Sequence, residues 1–463
     1  MPFQCSNCGR EEQVFRDGCS LCGGVIIHRP DFDGGKYYDP AAVGVWHYWR
    51  LLPDIPAGWR ISLGEGDTFL QRADRLAAGL GLRWVFLKNE ATNPSGSFVD
   101  RGVAVEISKA SSLGFRKLSC FSRGNLGVSL SAYGAKVGLE THVYTPPTIE
   151  RGKLYQLIAY DANVSFCKRL SHNQVKHLRH QGFYHVTSTS PYFLAGLKTI
   201  AYELAAQINP NYVIFPVGEG GNISMFWEGL KDLKRLGLAE LKPRLVAVQS
   251  EGCMPIVKAF NRGDEQVVWR GPVKTIFGDI AVPSPSLGRM VLRALRESGG
   301  LAVAVSDRMI LDATRDLARW EGLLAEPAAA STIAALRKMV ENGSISRDDT
   351  VVCMVTGSGL KEPYLGSPIG RGARSIAARA RASSRIGITK SHILKLLVEK
   401  PSHGYEIKKK LAERFGIKIS TASVYQHLME LTDAGLLSPT PDRSNTRKRV
   451  NYTLTSLGRR AIQ

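Results

Sequence analysis

The sequence has no run of about 18 apolar residues, so no membrane-spanning helix is expected. Its first residues, Met-Pro-Phe-Gln-Cys, form no apolar leader, and the cytoplasm is the expected location. The chain is short of acid, with 41 Asp and Glu against 61 Lys and Arg. That shortage is local. From Arg371 to Gln463 there are 19 basic and 6 acidic residues, which supply 13 of the 20 excess positive charges. A basic terminal segment is the footprint of a polyanionic partner. Cysteine is scarce too, at eight in 463 residues. Cys120, Cys167, Cys253 and Cys353 are scattered and read as packed thiols of a reducing compartment. What is present in quantity is apolar surface: 44% of the residues, enough for two or three domains with buried cores.

The other four cysteines are clustered. Cys5, Cys8, Cys19 and Cys22 form two C-x2-C pairs ten residues apart. Each pair can present two thiolates to one tetrahedral ion, and four protein ligands leave no position open for a substrate. A structural zinc ribbon over residues 1–30 is expected, in which the ion helps fold the segment.

Residues 31–365 alternate short apolar runs with helical stretches, the rhythm of a parallel α/β sheet. Residues 88 to 102 read Lys-Asn-Glu-Ala-Thr-Asn-Pro-Ser-Gly-Ser-Phe-Val-Asp-Arg-Gly. A strand ending near Leu87 leads through the turn Asn93-Pro94-Ser95-Gly96 to a helix, with Ser97 as its expected N-cap and Asp100 three residues on. Further on, the strand Asn211–Val217 runs into Gly218-Glu219-Gly220-Gly221-Asn222, an anion cup of backbone N–H groups at a helix start. Ser62–Thr68, Ser122-Arg123-Gly124-Asn125, Glu326–Ser331 and Thr356–Lys361 complete the set of motifs.

In this order the motifs closely resemble those of threonine synthase and its fold-type-II pyridoxal phosphate relatives. The resemblance implies an α/β, tryptophan synthase beta-like fold with parallel sheets. It implies that Gly218, Glu219, Gly220, Gly221 and Asn222 meet the cofactor phosphate, that Asn125 meets its ring oxygen, and that Thr356 or Ser358 meets its ring nitrogen. Ser122, Arg123 and Gly124 would receive a substrate carboxylate, with Arg123 either clamping it or pointing to solvent. One departure dominates. The family's Schiff-base lysine is here Val99, which can neither anchor the cofactor nor move protons. Glu219 is a second departure, since a carboxylate facing a phosphate repels it unless it turns away. No catalytic residue is therefore assigned, and pyridoxal phosphate, the family ligand, is in question. The neighbouring Lys88 and Lys109 have no spacing that brings their amines to the cofactor.

After a basic linker at 366–388, which includes Arg371, Arg374, Arg379, Arg381 and Arg385, the pattern changes to short helices. Ser391–Glu399, Tyr405–Phe415 and a third helix opening at Ser420 precede a basic β-hairpin that ends at Leu454. With His403-Gly404-Tyr405-Glu406-Ile407, Val424-Tyr425 and Tyr452 to Gly458, residues 389–463 resemble the PadR-like transcription factors. The resemblance implies a winged helix that binds double-stranded DNA. Ser423, Gln426 and His427 would lie at base edges, and Arg443, Arg447, Lys448 and Arg449 of the wing at phosphates. That family's long dimerisation helix has no counterpart before Gln463, so a homodimer would pair through the central domain.

Two functions follow from these resemblances. The first is a DNA-binding regulator whose sensor is a threonine-synthase-like domain without its lysine, responding to a small anionic amino-acid-like ligand. The alternative is a threonine synthase-like lyase with an atypical active site and an accessory DNA-binding tail.

Overall fold

The computed structural model describes residues 3–12, 18–32, 34–362, 388–442 and 449–460. They fall into two compact units, Met1–Leu365 and Gly366–Gln463. The basic linker and the wing residues Arg443, Arg447 and Lys448 lie outside the described residues.

The first unit opens with a small antiparallel sheet of β1 (Phe3–Cys5), β2 (Glu11–Glu12) and β3 (Ile26–His28), in the order β2-β1-β3. This sheet is docked onto the body. The Phe3 ring meets Tyr192 edge-on at 5.3 Å, and Arg29 pairs with buried Glu228 at 2.6 Å.

Two further sheets form the body. A six-stranded sheet contains β4 (Leu70–Arg72), β5 (Trp84–Asn89), β10 (Tyr212–Pro216), β11 (Arg244–Ser250), β12 (Leu301–Val305) and β13 (Thr350–Val355). Its order is β12-β11-β10-β13-β5-β4, parallel except for the edge strand β4. The second sheet is all parallel: β6 (Lys117–Phe121), β7 (Glu140–Thr145), β8 (Asn163–Phe166) and β9 (Phe183–Val186), in the order β8-β7-β6-β9.

The central strands are apolar on both faces because helices cover both. Alternation decides which core each residue enters. Ile214, Val351, Cys353 and Val355 pack under the helix Pro327–Glu341, while Val213, Phe215, Val352 and Met354 pack on the opposite face with Phe226 and Leu230. A third core joins the helix Val99–Ser112 to the four-stranded sheet through Val103, Ile107, Leu118 and Val143.

The second unit has helices Ile388–Glu399, Gly404–Phe415 and Thr421–Asp433, with β14 (Ser402–His403), β15 (Leu437–Asp442) and β16 (Arg449–Leu454) in the order β14-β16-β15. Ile393, Leu397, Ile407, Leu411, Val424 and Leu428 form its core. Local chemistry sets the helix starts. His403 Nδ1 accepts from the Glu406 N–H at 3.2 Å, and Ser420 Oγ accepts from the Ser423 N–H at 3.0 Å.

The key helix begins differently from the expected Ser97 cap. It opens at Val99 with Phe98 at the cap position and no side-chain cap bond there. Ser97 instead pairs with Gly357 in an isolated bridge. Asp100 turns back to the preceding turn, accepting from Ser95 N–H at 2.7 Å and Ser95 Oγ at 2.6 Å. Satisfying that buried carboxylate fixes the turn onto the helix, which a capping box would not do.

Candidate functional site

Parallel strands deliver loops to one edge, and ligands bind outside their carboxyl ends. Here β6 ends at Phe121, β10 at Pro216 and β13 at Val355, and the residues that follow each converge on a cavity of about 220 Å³. Val99, Ser122, Gly124, Asn125, Gly218 to Asn222, Glu326 and Thr356 all line it.

One end of the cavity is a turn shaped by glycine. Gly220 has φ +93°, and a Cβ there would fall 2.6 Å from Val291. A Cβ on Gly218 would fall 2.4 Å from the Asp279 carbonyl oxygen. The 15-residue helix Gly221–Arg235 starts at this turn, so its free N–H groups and positive dipole end face the cavity. Asn222 is only 5% exposed, and neither atom of its amide has a hydrogen-bond partner among the described residues. Buried polar groups are rarely left so, and this amide is free to meet a ligand or water in the cavity. Glu219 does not aim at this cup: its carboxylate accepts from the Ser286 N–H at 2.9 Å.

Val99 lies at another wall, 6% exposed, and puts a branched hydrocarbon where an amine would be needed. Asn125 is held between charges, its Nδ2 donating to Glu326 at 3.0 Å and its Oδ1 accepting from Lys361 at 2.7 Å. One amide hydrogen stays available to a ligand. Ser122 Oγ is spent inside its own turn, accepting from the Gly124 and Gly127 N–H groups at 3.1 and 2.9 Å. Arg123 is exposed and does not line the cavity, so it does not clamp a carboxylate there. Ser358 also stands outside the lining, its hydroxyl accepting from the Leu360 N–H at 3.3 Å, so of Thr356 and Ser358 it is Thr356 that lines the cavity.

The charges behind this wall carry no local sequence signature. Lys153 is 1% exposed, with Asp279 at 2.7 Å, Glu362 at 3.0 Å and Glu326 at 3.3 Å. Burial works to lower its pKa, but the three carboxylates hold it well above the ordinary lysine value. It is a fixed cation, not a nucleophile. Burial, reinforced by Glu326 and Asp279, pushes Glu362 up to about 7 against the pull of Lys153. Lys88 is remote from the cavity, buried against Glu203 and bonded to Gln207 at 2.9 Å, and Lys109 lies over the Tyr192 ring. No motif marked Lys153 or Asp279, because only the fold brings them together.

At the N-terminus the four sulfurs meet. Cys5–Cys22 and Cys8–Cys22 are 3.5 Å apart and Cys8–Cys19 3.6 Å. A tetrahedron of thiolates about 2.3 Å from a zinc ion has edges of about 3.8 Å, so the set suits one such ion. The Asn7 and Leu21 N–H groups donate to Cys5 and Cys19 sulfur at 3.4 Å, orienting each knuckle. In the second unit, Gln426 is exposed and donates to Glu430 at 3.2 Å, while Ser423 and His427 are half-buried and Ser423 Oγ meets Ser420 Oγ at 2.8 Å. Arg449 opens β16.

Residues 61–357 match the family described as pyridoxal-phosphate dependent enzyme, and residues 393–463 match the transcriptional regulator PadR-like family. Threonine synthase of Methanocaldococcus jannaschii is 40% identical over 380 residues, covering 78% of this chain and 93% of that protein. Threonine synthase of Methanosarcina acetivorans is 36% identical over 377 residues, covering 78% and 92%. Among solved structures, the processed form of threonine deaminase isoform 2 from Solanum lycopersicum superposes with a TM-score of 0.55 at 18% identity, over 72% of this chain and 89% of that one. A pyridoxal 5'-phosphate-dependent aspartate racemase gives 0.53 at 24% identity, over 63% and 90%. These two likenesses carry the fold alone. The chain belongs to the pyridoxal-phosphate dependent enzyme family among the threonine synthases, and it carries a PadR-like domain at its C-terminal end.

Proposed function

We propose that this protein is a DNA-binding transcriptional regulator whose ligand sensor is the threonine synthase-like body. Val99 carries the reading: the cavity keeps its glycine cup, Asn125 and Thr356 but has hydrocarbon at the reactive position. Binding survives that change and covalent chemistry does not. A repositioned lysine would favour the lyase reading, but Lys153 and Lys361 are held by carboxylates.

The residues fit pyridoxal phosphate without a covalent link. The Gly218–Asn222 turn would hold its phosphate, Asn125 and Thr356 its ring. When bound, the cofactor supplies an electron-withdrawing ring and an aldehyde. Of the chain's own groups, the turn binds and orients, Phe98, Phe193 and Leu197 exclude water, and Val99 moves no proton. The effector class is a small anionic amino-acid-like molecule.

The second unit acts as a winged helix on duplex DNA, with helix Thr421–Asp433 in the major groove and the β15–β16 hairpin as the wing. Gln426, exposed on that helix, is the residue offered to base edges, and the wing arginines neutralise phosphates. Two copies would pair through the body to span a two-fold operator. One zinc ion would close the four-cysteine cluster and hold the N-terminal sheet together.

Selecting sites from a random duplex pool, then titrating salt, tests the DNA reading. Affinity should fall steeply with salt, Arg447→Ala and Arg449→Ala should weaken all sequences alike, and Gln426→Ala should relax base preference. Salt-independent binding, or none, would refute it. For the ribbon, about one zinc per chain is expected by metal analysis, lost in Cys5→Ser/Cys19→Ser; protein purified free of zinc contradicts this.

A further inference from the structure

Three helices meet at the cavity, and each also brings a cation to the N-terminal ribbon. The helix Pro191–Leu197 lends Phe193 and Leu197 to the cavity lining. The helix Gly221–Arg235 begins at the glycine turn. The helix Gly288–Glu297 stands against that turn, since a Cβ on Gly220 would fall 2.6 Å from Val291.

The three cations end on backbone carbonyls of the ribbon. Lys198, next after Leu197 and fully buried, donates to the His28 carbonyl and to Asp232 at 2.6 Å. Arg235, the last residue of its helix, donates to the Pro30 carbonyl. Arg293, two residues after Val291, donates to the Ser6 carbonyl at 2.6 Å. Ser6 lies between Cys5 and Cys8, inside the first cysteine pair, and His28 ends the strand β3 that pairs with β1. A carboxylate on a side chain can follow a moving cation, whereas a backbone carbonyl stands where the fold of its segment puts it. The carboxylates nearby are already shared: Glu228 and Asp232 meet Arg29 at 2.6 and 3.5 Å, and Glu228 meets Lys231 at 2.9 Å. In the docked ribbon Ser6 Oγ and His28 Nδ1 are buried without a hydrogen-bond partner among the described residues, so docking leans on the three carbonyls and the ion pairs. Segments shorter than about 40 residues rarely hold a fold by their core alone, and residues 1–30 have a four-sulfur metal set instead.

We propose that zinc occupancy of the ribbon controls the cavity. With the metal bound, the three carbonyls hold the three helices in place around the glycine turn. Without it the cations lose their acceptors and the turn loosens. Lys198 is the decisive group, because a buried ammonium stripped of an acceptor is costly to leave in place. Zinc binds only the folded ribbon, and so favours the docked arrangement. The inference rests on the zinc reading of the four cysteines and extends its effect from the N-terminal sheet to the cavity.

Hydrogen exchange of the full chain, read by mass spectrometry before zinc removal, after it and after zinc is restored, tests the coupling. Removing zinc with a chelator should speed exchange by about tenfold or more in segments 192–198, 219–224 and 287–293, and restoring it should reverse the change. Arg293→Met, which leaves the cysteines untouched, should keep the zinc and still speed exchange in 219–224 by about threefold or more. If zinc removal changes only residues 3–32, or if Arg293→Met leaves 219–224 unchanged, the inference falls and the structural zinc stands. Equal acceleration through strands β6 to β9 would mean loss of the whole unit, and would also overturn it. Protein that carries no zinc would defeat both readings.

Discussion

The glycine turn at Gly218–Asn222 and the helix start at Val99 belong to one cavity and have fared differently. At the turn the features proposed to receive an anion are in place: Gly220 in its positive-φ conformation, a 15-residue helix behind it and an Asn222 amide without a partner among the described residues. At the helix start the backbone is equally well built, with Asp100 fastened to Ser95 and Ser129 and Arg101 buried against Glu90 and Glu203. Only the side chain that would react is missing. A scaffold that keeps the costly parts of a binding site and omits the reactive atom is suited to recognition.

The sharpest way to break this comparison is to look for chemistry. Incubation with O-phosphohomoserine and pyridoxal phosphate should release no threonine above the uncatalysed background, because no lysine is among the residues that line the cavity. Val99→Lys should restore the visible absorbance of a lysine-bound cofactor. Turnover by the unaltered chain would end the distinction between the two ends, and a colourless Val99→Lys protein would move the defect beyond position 99.

Closing the other end should cost nearly as much. Gly220→Val places a branched side chain at φ +93° and against Val291, and phosphate-ester binding should weaken by about 100-fold or more in calorimetry. Retained binding would mean that the turn is not the anion site.

The frame beneath both ends sets a third expectation. Burial raises the pKa of Glu203, but Arg101 and Lys88 outweigh it and lower the carboxyl from 4.5 to about 2. A depressed carboxyl contributes stability that is full above about pH 4.5 and is lost as pH falls toward about 2. Lys88→Met should cost about 3 kcal/mol at neutral pH and flatten that acid limb in urea titrations. An unchanged acid limb would count against the network. The smallest effect is expected at Glu219→Gln. Removing a carboxylate already turned to Ser286 should tighten phosphate binding only a few-fold, so a large gain would show that Glu219 faces the cup.

Much of this was legible in the sequence because strand ends, glycine turns and helix starts are written locally. The run Asn211–Val217 before Gly218 placed both strand and cup, and Ser420 marked a helix start that the structure keeps. Ser97 misled because the same Ser-x-x-Asp spacing also serves a carboxylate reaching back to its own turn. Arg123 was ambiguous because a loop residue's direction depends on what packs around it, and it points outward. The Lys153, Asp279, Glu326 and Glu362 group was invisible, since its members come from segments up to 209 residues apart. Nothing local distinguishes a lysine that will be buried among carboxylates from one in solvent.

Coupling between ligand and DNA is the central claim. A regulator needs an effector that binds the DNA-competent and incompetent states with different affinity, because equal binding shifts nothing. The most direct test is fluorescence anisotropy of the full chain on a selected duplex, with and without saturating concentrations of each phosphate ester that raises the melting temperature of the body. At least one of them should change DNA affinity by about fivefold or more, in the range of ordinary allosteric coupling. DNA affinity unchanged by every such ligand would contradict it.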